Sequence, residues 1–95
     1  MSDGAELTAV LTEVLALLRQ PGADDSWSGY DLAELISMLE SHLSRLASGS
    51  QLDAGSLYHL EFLFLPTGPL QETSISSGWG DRFLELASRF DHAKA

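Results

Sequence analysis

Leu7, Val10, Leu11, Val14 and Leu18 stand at i, i+3, i+4, i+7 and i+11. Leu32, Leu35, Ile36, Leu39, Leu43 and Leu46 repeat the same spacing one step further, to i+14. Only a helix, with its period of 3.6, gathers each set onto one face; a strand would scatter them over both sides of a sheet. Polar residues fill the other side: Glu6, Thr8, Thr12 and Glu13 in the first segment, and Glu34, Ser37, Ser41 and Ser44 in the second. The punctuation agrees. Asp3, three residues before Glu6, suits an N-cap, and Pro21-Gly22 closes that helix with Arg19 placed against its C-terminal dipole. Ser28 and Asp31 make a second capping box, and Gly49 suits the position just past a helix end.

The rest of the chain is less periodic. Asp53 caps an expected third helix that Pro66 stops after Leu65. Leu57 to Leu65 is apolar on nearly all sides, which suits a helix at the centre of the core; a buried strand has the same signature, but the segment lacks Val, Ile and Thr. Pro69 suits the first position of a short helix through Ser76 with Gly78 beyond it, while Thr73 and Ile75 support a competing strand over 70–75. A last helix starts near Asp81, with Phe83, Leu86, Ala87 and Phe90 on one face and Glu85 to Arg89 as an i, i+4 pair. The expectation is an all-α domain of four or five helices, with one short strand or hairpin near 70–76 as the variant. It spans 1–95 as a single unit, with 1–4 and 92–95 frayed. A chain of this length collapses to a radius of gyration of roughly 12 Å.

Composition narrows function by exclusion. Fourteen acidic side chains face five basic ones, a net charge of −9. Arg19, Arg45, Arg82, Arg89 and Lys94 are spread out and form no patch, so neither nucleic acid nor an anionic membrane surface is an expected partner. A basic protein is favoured. Without cysteine there is no disulfide framework, thiolate metal site or Cys nucleophile, and without asparagine no N-glycosylation. No apolar run approaches the length of a membrane span, and Val14 to Leu18 lacks the basic flank of a secretory signal, which points to the cytoplasm.

The motifs of catalysis are missing: there is no P-loop, no G-x-S-x-G elbow and no H-E-x-x-H. Gly78-Trp79-Gly80 lacks the third glycine of a dinucleotide fingerprint, and His59-Leu60-Glu61 lacks the Cys-x-x-Cys half of a zinc-deaminase signature. His42, His59 and His92 have no spacing that forces a metal site. No catalytic residue, metal or cofactor is therefore assigned. The candidate partner-binding residues are Asp24, Asp25, Trp27, Asp31 and Glu34, an aromatic among carboxylates, together with Glu72, Trp79 and Asp81 around a loop stiffened by Pro66, Gly68 and Pro69. For both tryptophans the alternative is burial in the core.

The run Phe64-Leu65-Pro66-Thr67-Gly68-Pro69-Leu70-Gln71-Glu72, followed by Gly78-Trp79-Gly80-Asp81 and Phe83-Leu84 to Phe90-Asp91, resembles small acidic bacterial proteins of uncharacterised families, including immunity proteins of polymorphic toxin systems. The resemblance covers about the C-terminal third. It implies a small cytoplasmic protein that neutralises a partner, a basic toxin domain, by binding it. Two other functions fit the residues. One is a structural subunit or homodimer that uses Leu17 and Met38, which lie off the main stripes. The other is a small ligand-binding domain or enzyme that uses His59 and Glu61.

Overall fold

The computed structural model describes residues 3–23, 30–49, 52–66 and 68–94. The described residues form five helices: α1 (Gly4–Leu18), α2 (Leu32–Ala47), α3 (Ala54–Leu63), α4 (Pro69–Ser77) and α5 (Gly80–Lys94). No strand occurs among the described residues. The radius of gyration is 12.3 Å.

α1 is the centre of the molecule. Leu7, Val10, Leu11, Val14, Leu15 and Leu18 are all buried, and the helix packs against both α2 and α5. The expectation that α3 would be central is overturned. α3 buries Ser56, Leu60 and Leu63 but leaves Tyr58 and Phe62 exposed. The physical reason is size: four other helices do not encircle a ten-residue helix lying at the edge of a domain this small. α3 is pegged to the core by Phe64, which follows its last turn and stacks with both Phe83 and Phe90, with ring centroids 5.8 Å and 4.3 Å away.

The helix ends follow local rules. Asp3 accepts the Glu6 N–H at 3.1 Å and Asp53 accepts the Ser56 N–H at 2.7 Å, as the sequence leads one to expect. At α2 the N-cap is Asp31, which accepts the Glu34 N–H at 2.8 Å; Ser28, expected to open that box, lies outside the described residues. α3 ends at Leu63, two residues short of the expected Leu65.

The segment 70–76 is helical, not a strand or hairpin. Pro69 starts α4 and Gly78 ends it with φ at +90°. Leu70, Thr73 and Ser74 are buried, so packing overrides the β preference of Thr73 and Ile75. Gly78 lets the chain reverse, and the Trp79 N–H returns to the Ser74 carbonyl at 2.9 Å. That reversal seats α4 on α5.

Of the segments expected to fray, 1–4 and 92–95, Asp3 caps α1, Gly4 opens it, and residues 92–94 belong to α5. The Asp3 N–H donates to the Ala93 carbonyl at 2.7 Å, and α5 continues to Lys94 with Ala93 buried. Arg89 does not pair with Glu85; it crosses to Glu6 and Glu13 of α1, while Glu85 meets Arg82 at 2.9 Å. Leu17 and Met38 are half-buried, each packing in part against the core.

Candidate functional site

α3 has two apolar stripes and only one of them is used. Leu60 and Leu63 face the core. Tyr58 is 76% exposed, Phe62 one turn on is 42% exposed, and Leu65 in the following turn is 50% exposed. With Glu61 these side chains line a concavity of about 230 Å³. The Tyr30 ring stands edge-on to Phe62, with centroids 6.5 Å apart at 71°. That contact brings the start of α2, with exposed Asp31 and Glu34, alongside the apolar strip.

The flank of α3 that meets α2 holds a histidine pair. His42 of α2 is 7% exposed, and its Nε2 lies 2.7 Å from Nδ1 of His59. His42 Nδ1 is buried and has no hydrogen-bond partner. The tautomer that fits has His42 donating through Nε2 to His59, because the reverse would bury an N–H with no acceptor. Burial, reinforced by the neighbouring His59 and Arg45 and opposed by Asp53, holds His42 below the ordinary histidine value.

This geometry argues against a metal at the pair. A metal between the rings would take both facing nitrogens as ligands and leave the His42 proton on Nδ1, which is buried with no acceptor. No group of three potential ligands forms among the described residues. His59 and Glu61, two residues apart on α3, point to different places: His59 to His42, Glu61 to Lys94 at 3.9 Å. The concavity that Glu61 lines with Tyr58, Phe62 and Leu65 does not include His59.

Of the candidate partner-binding residues, Asp24, Asp25 and Trp27 lie outside the described residues. Asp31 is committed to capping α2, and Glu34 is exposed in the first turn. Glu72 is half-buried in the first turn of α4. Trp79 is 8% exposed and meets Phe83 edge-on with centroids 6.4 Å apart, so it is a core residue. Trp79 and exposed Asp81 line a second shallow concavity with Ile75 and Arg82.

The basic residues are all engaged. Arg19 pairs with Glu40, Arg82 with Glu13 and Glu85, and Arg89 with Glu6. Arg45 donates to the Ser56 hydroxyl at 2.6 Å, and Lys94 lies 3.6 Å from Asp91. The hydrogen bonds from Arg82 hold the Glu13 carboxyl below its usual range. Glu34, Glu72 and Asp81 have no basic partner among the described residues.

Tyr30, Tyr58, Phe62 and Leu65 were not marked as binding residues by sequence reasoning. The one available signal was that Tyr58 and Phe62 repeat at i+4 beside the separate stripe of Leu60 and Leu63. No family model, curated protein or solved structure matches this chain.

Proposed function

We propose that this chain is a non-catalytic protein-binding module for a basic protein, acting as an immunity-type inhibitor that covers a toxin surface. One observation carries the reading: each of the five basic side chains already has a partner within the chain, four of them a carboxylate, so the net charge offered to a partner is acidic. A net charge of −9 steers a basic partner in and speeds the encounter. An exposed aromatic strip beside those carboxylates supplies area that charge alone cannot.

Purification of the chain from its native host at low salt, with identification of what it retains, tests this. The expected result is a basic protein held in stoichiometric amount, released by salt, and toxic when produced alone. Recovery of the chain unaccompanied, or with an acidic partner, would refute it.

A further inference from the structure

We propose that the Tyr58–Phe62–Leu65 strip is the docking surface for a short amphipathic helix with Lys or Arg along its flanks. The proposal rests on the basic-partner reading above and deepens it by naming the surface and the form of the segment that fills it.

The surface is a largely exposed helix face, met at Phe62 by the edge of the Tyr30 ring. Tyr58 and Phe62 lie one turn apart on α3, and Leu65 extends the line into the next turn. This is the spacing at which two helices pack ridge into groove. The concavity of about 230 Å³ is below the usual small-molecule range of roughly 300–1,000 Å³, and it suits one or two apolar side chains of a peptide. Among the described residues there is no sheet edge for strand addition, and the i, i+4, i+7 line of Tyr58, Phe62 and Leu65 favours a helix laid along it.

Charge selects the occupant. Glu61 borders the strip, and its basic neighbour, Lys94, is 3.9 Å away, the edge of ion-pair range. A closer incoming Lys or Arg exchanges readily with it. At the other border Tyr30 meets Phe62, and exposed Asp31 follows it in the chain with a further negative charge. A second copy of this chain fits badly. Each copy carries −9, and facing strips would set Glu61 near Glu61. A stable dimer also buries about 800 Å² per partner, more than three side chains supply.

The probe is a synthetic peptide of roughly 20 residues with Leu at helix-spaced positions and Lys on both flanks. It is titrated calorimetrically into the full chain at about 50 mM salt, beside a peptide of the same composition in scrambled order. Sedimentation of the chain alone accompanies the titration. The expected result is saturable one-to-one binding, about tenfold weaker for the scrambled peptide and for Tyr58→Asp and Phe62→Asp, and unchanged for Leu84→Asp on α5. Tyr58 is three-quarters exposed, so its variant keeps the fold even where Phe62→Asp does not. Equal binding by all variants, equal binding of the scrambled peptide, no binding, or a chain dimer abolished by Tyr58→Asp would each overturn the proposal. A native basic partner that still binds Tyr58→Asp would overturn the surface and leave the basic-partner reading standing.

Discussion

His42 Nε2 and His59 Nδ1 lie 2.7 Å apart and join α2 to α3. Neutral His42 is the donor of this tether. It works while His42 keeps one ring proton, and a second proton would sit on a buried nitrogen with no acceptor.

Stability is therefore expected to fall on mild acidification. In the unfolded chain His42 takes up a proton near 6.5; in the fold, burial delays that to lower pH. Between these values the unfolded state holds more protons, so stability rises with pH and is fully present above 6.5. Glu13 and Asp53 also titrate below their ordinary values, so their stabilisation is lost only at more acid pH. Urea unfolding between about pH 5 and pH 7 should show the slope, and His42→Leu should flatten it. An unchanged slope in that variant would count against the tether.

Asp31 is a helix cap before it is anything else. Asp31→Ala removes the acceptor of the Glu34 N–H and should cost about 0.5–2 kcal/mol in denaturant unfolding, with no partner present. Glu34→Gln keeps that backbone bond and should be nearly neutral in stability. Any loss it causes in partner association then reports charge alone.

Phe90 is fully buried and stacks on Phe64 at 4.3 Å with rings 5° from parallel. Phe90→Ala should cost about 3–5 kcal/mol, comparable with the lower end of a small domain's total of about 5–15 kcal/mol. Near-ultraviolet dichroism and urea unfolding should show loss of fixed packing and a much lower midpoint.

Two glycines should respond to alanine for different reasons. At Gly78 the φ of +90° is the cost, about 1–2 kcal/mol, since a Cβ there meets nothing within 4 Å. At Gly68 the φ is ordinary, but a Cβ would lie 2.9 Å from the Leu65 carbonyl oxygen and 3.1 Å from that of Phe62. Backbone atoms cannot swing aside, so Gly68→Ala should cost about 1–3 kcal/mol and loosen the α3–α4 turn. Amide exchange should rise around residues 62–70 for Gly68→Ala and around 74–80 for Gly78→Ala.

What the sequence determined by itself was local. The stripes of α1 and α2, the caps Asp3 and Asp53, Pro69 at the start of α4 and Gly78 at its end each depend on residues within a few positions, where helix geometry fixes which groups meet. The all-α class followed from them. Tertiary structure decided the rest. Leu57 to Leu65 is apolar on nearly every side, and nothing local says which side other helices will cover. Placing α1 at the centre left Tyr58 and Phe62 of α3 in solvent and drew Trp79 into the core. The meeting of His42 with His59, and of Arg89 with Glu6, likewise depends on how whole helices pack, which a period along one helix does not encode.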